Sequence, residues 1–344
     1  MNQDCCCTKS SGCCTGTAGA NRVPVVSASL SLKDILDAWK ARWGIARMDY
    51  KTEPGLYAIG EPDSESPVLV SANYELTFGV LRNNLSGVDC WLLILDTKGI
   101  NVWCAAGKGT FGTDELVNRI EATGLSEIVA HRKLVLPQLG APGVSAHEVE
   151  RLTGFSVIYG PVRANDIKSF IASGYKATKE MRTVKFTMWD RLVLTPMELV
   201  PTIKVSLMVF GVLFLINLFA ARQIGMEGFL AYVAAVLIGT VITPVLLPFI
   251  PGKAFAFKGW LLGMIGTAWI AWIYGWFASP LLLLGVGYLL ALPALSAFLA
   301  MNFTGASTYT SFSGVIKEMK FAVPMIALSF VAGVALILTK TFAG

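Results

Sequence analysis

A cysteine flanked by small residues is the feature of this 344-residue chain best suited to chemistry. Cys104 lies in residues 101–108, Asn-Val-Trp-Cys-Ala-Ala-Gly-Lys, shortly after an apolar run at residues 90–96. The run predicts a buried parallel strand, and functional residues of doubly wound α/β folds collect beyond the carboxyl ends of strands. A thiol placed there among small side chains can meet a flat cofactor closely.

Two glycine-rich motifs compete for the same segment. Residues 107–112 formally match G-x-G-x-x-G, the dinucleotide fingerprint, but that fingerprint begins in the turn directly after a strand. Here about ten residues intervene, so the match is weak. A Walker A loop would need glycine at Val102 and Ser or Thr at Gly109. The glycines are therefore predicted to let the backbone pass close to a bulky ring system.

The other cysteines and histidines of the first half offer weaker chemistry. From residue type alone Cys104 can also be an inert buried thiol, and Cys90 is predicted to be a core residue. His131, beside Arg132 at a strand entrance, can be structural or can contact amide or nucleotide groups of a cofactor. His147 is predicted to be exposed, and no Cys/His spacing resembles a zinc site.

The amino-terminal segment, residues 1–24, is rich in Ser, Thr, Gly and Cys and has no apolar run. It predicts a disordered tail and no secretory signal. Its cysteines are Cys5, Cys6, Cys7, Cys13 and Cys14. Disulfides are not expected in a reducing cytosol, whereas adjacent thiolates bind soft metal ions well. Capture of such ions and the absence of any role both stay open for this tail.

Charge divides the chain into two unlike halves. After Val200 there are seven basic and two acidic residues, which leaves 21 of each sign among the first 200. A nucleic-acid-binding domain needs a basic face on its soluble part, so the neutral first half argues against nucleic acid as a partner. The net charge of +5 belongs to the second half, where it is typical of a membrane protein.

The second half contains five apolar stretches near the ~20 residues that cross a lipid bilayer as a helix. They are residues 205–221, 229–250, 259–278, 280–301 and 321–339. The third and fourth are predicted to form a tight hairpin at Ser279-Pro280. No stretch has a charged residue or histidine at its centre, which favours an anchor over an ion-coupled transporter.

Basic residues of the short loops predict the orientation of this domain. The loops after the second and fourth stretches carry Lys253, Lys258, Lys317 and Lys320, while the opposite side has only Arg222 and Lys340. The positive-inside rule therefore places the lysine-bearing loops, and with them the amino-terminal domain, in the cytoplasm.

Alternating strand and helix patterns predict that the first half is an α/β domain, Rossmann-like, with a mostly parallel sheet and flanking helices. Strands are predicted at residues 55–59, 68–71, 90–96, 133–136 and 157–159, and helices at 32–43, 75–85, 114–122, from 145 and at 165–173. Thr113 is predicted to cap the third helix, and Ser145 with Glu148 to form a capping box at the fourth. The predicted divisions are the tail at 1–24, the α/β domain at 25–180, a connector at 181–203 and an all-α domain of five transmembrane helices at 204–344.

The octapeptide at residues 101–108 resembles the cap-helix signature of the corrinoid protein of bacterial mercury methylation, and all eight positions match. The resemblance extends to residues 67–74, 95–100, 131–132, 136–143 and 159–164. These blocks are also similar to the corrinoid domain of the corrinoid iron–sulfur protein large subunit, a soluble relative. The five apolar stretches favour the membrane-anchored family.

The resemblance implies that Cys104 is an axial ligand of corrinoid cobalt. The cofactor-binding residues that it implies are Asn101, Val102, Trp103, Cys104, Ala105, Ala106, Gly107, Lys108, Gly109 and Thr110. Asn101 would cap the helix or bond the thiolate, and Lys108 would offset its charge. Trp103 would pack on the corrin or, as we favour, lock the cap helix into the domain.

The implied activity is mercury methylation, in which a cobalt-bound methyl group passes to Hg(II) to give methylmercury. A thiolate ligand donates electron density to its metal, which suits transfer of methyl with its bonding electrons. The implied partners are a small ferredoxin-like protein with two [4Fe–4S] clusters and a methyl-tetrahydrofolate-type donor or its methyltransferase. The implied location is the cytoplasmic membrane of a bacterium or archaeon. Two alternatives remain, a membrane-bound corrinoid methyl carrier for carbon metabolism or another metalloid, and a membrane receptor with a sensor domain.

Overall fold

The computed structural model describes residues 23–47, 49–220, 225–310 and 312–343. The five cysteines of the predicted tail and Arg222 lie outside this part of the chain. The strands are β1 Gly55–Ile59, β2 Val68–Ala72, β3 Cys90–Leu95, β4 Lys133–Leu136 and β5 Ser156–Tyr159. They form one sheet in the order β1-β3-β2-β4-β5, in which β1 is antiparallel to β3 and every other pair is parallel. The prediction of a mostly parallel α/β sheet is confirmed.

Seven helices accompany this sheet in the described part of the first domain. They are α1 Leu32–Arg42, α2 Glu75–Asn84, α3 Val102–Lys108, α4 Thr113–Ala122, α5 Leu125–Ile128, α6 Ala146–Thr153 and α7 Ile167–Ala172. Helices α2 and α7 pack on one face of the sheet, and α3, α4 and α6 pack on the other. β2 lies between β3 and β4 in the sheet. The chain therefore passes from β2 to one side, to form β3, and then returns across β2 to the other side, to form β4. This reversal makes the carboxyl ends of β2 and β4 a topological switch point, where doubly wound folds form their binding crevice.

Two predicted helix caps are wrong. Helix α4 begins at Thr113 itself after Gly112, and the Thr113 hydroxyl accepts the backbone N–H of Ser145 at 2.9 Å instead. Ser145 precedes α6 but makes no side-chain cap, and its hydroxyl lies 3.1 Å from Nδ1 of His147. Both hydroxyl groups therefore make contacts other than the predicted caps, and that of Thr113 is to a residue 32 positions along the chain.

Five helical segments of the second half are long and apolar enough to cross a membrane, as predicted. The helices are α8 Met188–Leu194, α9 Pro196–Ala220, α10 Met226–Leu237, α11 Thr243–Leu246, α12 Phe255–Ile273, α13 Leu282–Asn302 and α14 Phe312–Ala343. The first candidate span, Met188–Gly211, starts well before the predicted residue 205, so part of the predicted connector is helical. A π-helical turn, Ile238–Ile242, joins α10 to α11 within the second span. Helices α12 and α13 form the predicted hairpin.

Small residues bring the apolar helices of the second half into close contact. A Cβ atom added at Gly333 of α14 would lie 2.6 Å from the backbone oxygen of Gly287 in α13. A Cβ atom at Gly263 of α12 would lie 2.8 Å from the side chain of Ser296, whose hydroxyl donates to the carbonyl of Ala235. Membrane helices associate through such close backbone approach and through interhelical hydrogen bonds.

The segment around α8 ties the α/β domain to the bundle. Arg163, directly after β5, forms an ion pair with Asp190 at 3.0 Å. The next residue, Arg191, is buried and donates to the carbonyls of Phe186 and Val245, with its Nη1 3.2 Å from the Tyr309 hydroxyl. The loops that bear the lysines therefore lie at the end of the bundle from which the α/β domain extends.

Candidate functional site

A cleft of about 430 Å³ opens at the switch point of the sheet. Its floor consists of β2 and β4 residues such as Leu69 and Val135, and α2 and residues 160–167 form its sides. Asn101, Val102 and Trp103, at the start of α3, form part of its rim. The cleft is mainly apolar, which is typical of sites that enclose the flat part of a small molecule.

Helix α3 presents Cys104 beside this rim, and local capping fixes its ends. The Asn101 side-chain oxygen accepts the backbone N–H of Cys104 at 2.9 Å. Of the two roles proposed for Asn101, the structure shows the capping one. Gly109 ends the helix with a φ of +80°, a left-handed conformation that glycine adopts without strain. Seven residues are thus enough for a defined helix at this position.

The buried side of α3 locks it into the domain. Val102, Ala105 and Ala106 face the core, and the Cα of Ala106 lies 3.1 Å from where a Cβ atom of Gly143 would stand. Trp103 was predicted to perform this locking, and that prediction is wrong. Its side chain is 40% exposed at the mouth of the cleft, because the small residues on the opposite side of the helix already fill the contact with the core.

Cys104 itself is half-buried, and the next turn of its helix leaves space beside it. Gly107, three residues on, has no side chain, and a Cβ atom there would meet nothing within 4 Å. Lys108, four residues on, is exposed in the last turn. Residues three and four apart share a helix face, so one face of α3 carries a thiol, an open position and a cation.

Tyr74, at the amino end of α2, lines the cleft and interacts electrostatically with Cys104. Burial raises the pKa of Tyr74 above its usual value, and the negative charge of the Cys104 thiolate acts in the same direction. Arg47 and Arg42 oppose this effect, and the Arg47 guanidinium carbon lies 5.5 Å from the centre of the Tyr74 ring. Two arginines therefore supply positive potential at the cysteine end of the cleft.

Asn73 positions the loop that precedes α3, and its role was not predicted from the sequence. Its side-chain oxygen accepts the backbone N–H groups of Thr97 and Gly99, each at 3.0 Å, and lies 2.8 Å from the Thr97 hydroxyl. Its amide nitrogen donates to Asp96 at 3.2 Å. One buried residue at the end of β2 thus fixes the chain beyond β3, 24 residues away. Its place after an apolar run was the only signal in the sequence.

Asp96 extends this framework towards α4. Its backbone N–H donates to Glu115 at 2.7 Å, and the Glu115 carboxylate is held by Arg119 at the same distance. The hydrogen bond from Lys98 holds the pKa of the Asp96 carboxyl below its usual range. Both ends of the segment between β3 and α3 are therefore fixed by polar contacts.

Other candidate residues lie away from the cleft. His131 is structural, because its Nε2 lies 2.9 Å from the Ser66 carbonyl and its Nδ1 accepts from Lys133 N–H. Arg132 stacks over Phe155 just before β4 begins, at the end of the sheet opposite the cleft. Cys90 is fully buried, and burial raises its thiol pKa to about 12, so the prediction of a core residue is confirmed.

The glycines near α3 fall into two groups, and the prediction that they let the backbone approach a ring system stays a prediction. Gly109 is needed for its positive φ and has open space around it, as Gly107 does. Close backbone approach instead requires Gly112 and Gly143, whose added Cβ atoms would lie 2.8 Å from Gly109 O and 2.1 Å from Phe111 O. The Thr110 hydroxyl is buried with no hydrogen-bond partner in the described part of the chain.

The donor set at this cleft suits a macrocyclic metal cofactor. Among the described residues, no group of three or more His, Cys, Asp or Glu side chains is placed to hold a metal ion. Cys104 is thus a single soft donor beside an apolar cleft. One thiolate suits a metal whose remaining positions are filled by a macrocycle, as in thiolate haem proteins, and does not suit an ion held by protein alone. The residues are therefore compatible with a macrocyclic metal cofactor, to which Cys104 would supply the protein's donor atom.

Residues 36–171 match the family described as CO dehydrogenase/acetyl-CoA synthase delta subunit. Among similar proteins are acetyl-CoA decarbonylase/synthase complex subunits gamma. That of Methanopyrus kandleri is 37% identical over 127 residues, which is 36% of this chain and 27% of the relative. Those of Methanocaldococcus jannaschii and Archaeoglobus fulgidus are 33% and 35% identical over 40% and 38% of this chain. The chain spans less than a third of the length of these relatives, and the matched part contains the cleft and α3 but none of the apolar helices.

Proposed function

We propose that this chain is a membrane-anchored corrinoid methyltransferase that passes a methyl group to Hg(II), with Cys104 as the axial ligand of cobalt. The observation that carries the proposal is the position of Cys104 on a capped helix beside the apolar cleft. The octapeptide around it, which resembles the mercury-methylation family at every position, supports the choice of acceptor. The match of residues 36–171 to the CO dehydrogenase/acetyl-CoA synthase delta subunit family, read with the resemblance of the same blocks to corrinoid proteins, supports the choice of cofactor.

The chain positions the cofactor by several distinct contacts. Asn101 and the buried side of α3 hold the Cys104 sulfur in a fixed direction. The cleft of about 430 Å³ accepts only part of a corrinoid, so the macrocycle itself would rest against the exposed face of α3 next to Trp103. Lys108 offsets the charge of the thiolate from the same face. When bound, the corrinoid supplies a cobalt atom that carries the methyl group.

The choice of a thiolate determines the kind of acceptor. Hg(II) is an electrophile, so the methyl group must reach it with the bonding electrons. A thiolate ligand donates electron density to its metal, which favours this direction of transfer over delivery of a methyl cation to a nucleophile. In the proposed reaction Cys104 would therefore take part in catalysis as the thiolate ligand of the cofactor's metal.

We infer that the electrons for repeated turnover come from another protein. The described residues include only two cysteines, Cys90 and Cys104, whereas an iron–sulfur cluster requires four. We propose the small ferredoxin-like protein with two [4Fe–4S] clusters as donor, and a methyl-tetrahydrofolate-type compound or its methyltransferase as methyl source. Both are cytoplasmic components, in agreement with an α/β domain on the cytoplasmic side of the membrane of a bacterium or archaeon.

A second candidate function is that of a membrane-bound corrinoid methyl carrier for carbon metabolism. The similarity to acetyl-CoA decarbonylase/synthase subunits favours it, because those relatives carry the matched region within a complex named for that pathway. The second function shares the cleft and the cofactor with the first. It differs in the acceptor of the methyl group, so only an acceptor assay separates the two.

The test uses the full chain, purified with its corrinoid, and measures both absorbance and methyl transfer. We expect corrin absorbance in the wild type and transfer to Hg(II) that is lost in Cys104→Ala. Cys104→His should keep part of the activity, because imidazole also binds cobalt. Cys90→Ala serves as the matched control, since it removes a cysteine of the same domain that lies away from the cleft, and it should stay active.

Two outcomes would decide against the proposal. A folded protein without corrin absorbance would rule out the corrinoid cofactor and therefore both candidate functions. A corrin-loaded protein that fails with Hg(II) but transfers methyl to a nucleophilic acceptor would establish the carrier function instead. Arsenic and selenium acceptors, tested in parallel, measure how selective the transfer to mercury is.

A further inference from the structure

A groove of about 960 Å³ lies between α12, α13 and α14, far from the cleft of the α/β domain. Its walls are apolar and rich in aromatic residues, with Phe257 and Trp260 on α12 and Phe321 and Met325 on α14. Two lysines, Lys253 and Lys317, stand among its lining residues at one end. The groove thus joins a cationic mouth to an apolar channel.

The mouth of the groove carries net positive charge. Lys253 and Lys317 are exposed, and neither belongs to an ion pair among the described residues. Glu318 also lines the groove, but its carboxylate accepts the backbone N–H of Ala256 at 2.7 Å. An acidic side chain at the amino end of a helix is stabilised by the helix dipole, so Glu318 serves α12 and leaves the lysines for another anion.

The depth of the groove fits one leaflet of a bilayer. Its lining residues on α14 run from Gly314 to Ser329, and Lys317 stands about 18 Å from Ser329 at the helical rise of ~1.5 Å per residue. Half of a hydrocarbon core measures about 15 Å, which leaves the lysines at the level of the lipid headgroups. A partner transmembrane helix that packed along the whole of α14 would instead make contact over up to the full ~30 Å.

The groove also borders the contact between the bundle and the α/β domain. Tyr309 is one of its lining residues, and the Tyr309 hydroxyl lies 3.2 Å from Nη1 of the buried Arg191. The cationic mouth therefore opens on the side from which the α/β domain extends, which we place in the cytoplasm. Anionic lipids of that leaflet attract lysines next to membrane helices, and basic pockets between helices bind their headgroups.

We propose that this groove is a binding site for one anionic phospholipid of the leaflet next to the α/β domain. Lys253 and Lys317 bind the phosphate, and an acyl chain lies between the aromatic side chains of α12 and α14. This site is independent of the corrinoid function, and its test does not involve methyl transfer.

The experiment is native mass spectrometry of the full chain in detergent, titrated with phosphatidylglycerol or with phosphatidylcholine. We expect one tightly held phosphatidylglycerol and weaker binding of phosphatidylcholine. The double variant Lys253→Gln, Lys317→Gln should bind phosphatidylglycerol about 10- to 100-fold more weakly, because each lysine near an anionic lipid contributes to its affinity. The matched control is Lys320→Gln, Lys340→Gln, which removes the same charge outside the groove and should bind as the wild type does.

A third variant tests the apolar part of the site. Ala322 lines the groove, so Ala322→Trp should fill it and weaken binding of both lipids, while the thermal unfolding temperature shows that the bundle remains folded. Equal binding of the two lipids would contradict the proposed site. So would a loss of phosphatidylglycerol binding in the control variant as large as that in the double variant. A wild-type dimer that Ala322→Trp dissociates would show that a second copy of the chain occupies the groove, and would overturn it as well.

Discussion

Replacement of Asn73 by alanine is expected to release the loop that holds the cap helix while the sheet remains intact. The Asn73 oxygen accepts two backbone N–H groups, those of Thr97 and Gly99, and both residues are buried. Alanine leaves these donors without a partner in a site with little access for water. Because α3 follows directly, this side chain contributes to the position of Cys104, together with the Asn101 cap and the buried side of α3.

The size of the effect follows from the number of groups left unsatisfied. A buried donor that loses its partner costs about 1–3 kcal/mol, and partial access of water reduces that cost. Two such donors give an expected loss of about 2–4 kcal/mol in the free energy of opening of residues 97–104. At ~1.4 kcal/mol per tenfold change, amide exchange in this segment should accelerate by about 30- to 1000-fold.

Hydrogen exchange measured by mass spectrometry on the full chain checks this directly. Peptides that cover residues 97–108 should lose protection in Asn73→Ala, while peptides from β3 keep theirs. Asn84→Ala is the control, because Asn84 donates only to the carbonyl of Val80 on an exposed stretch of α2. Unchanged exchange at residues 97–104 in Asn73→Ala would refute the reasoning, since it would mean that the loop is fixed by other contacts.

Three further predictions follow from individual side chains. The first uses a chain from which residues 1–20 have been deleted to remove the other five cysteines. A maleimide at pH 7 should modify Cys104 and spare Cys90, because burial raises the pKa of the Cys90 thiol to about 12. Equal labelling of the two cysteines in a peptide map would contradict this. Asn101→Ala should destabilise α3 by about 1 kcal/mol, as loss of a side-chain cap does, which faster exchange at residues 102–105 but not in α4 would reveal. Burial raises the pKa of Asp34, but hydrogen bonds from Ser31 and the guanidinium of Arg82 hold it below the usual 3.8, so its contribution to stability is present above about pH 4 and lost as pH falls further. Asp34→Asn should therefore be less stable than the wild type in urea at pH 7, with the difference shrinking below about pH 4; a difference independent of pH would contradict this ion pair.

The sequence by itself determined the features that depend on neighbouring residues. Apolar runs predict β2 and β3 to within a residue or so, because strand formation there follows the local pattern of burial. The Asn101 cap of α3, which the resemblance implied, also acts within one helical turn, whereas the left-handed Gly109 that ends the helix was not predicted. The five helices of the described part of the chain that are long and apolar enough to cross a membrane follow from length and apolar composition alone.

The tertiary structure decided which distant residues meet. The place of β2 between β3 and β4 creates the cleft, and it brings Asn73 to a loop 24 residues away, which no periodicity encodes. Trp103 is exposed and small side chains lock α3, because the space available in the core depends on Gly143, far along the chain. The groove between α12 and α14 likewise depends on how the helices of the bundle pack, which is set by the whole assembly of helices.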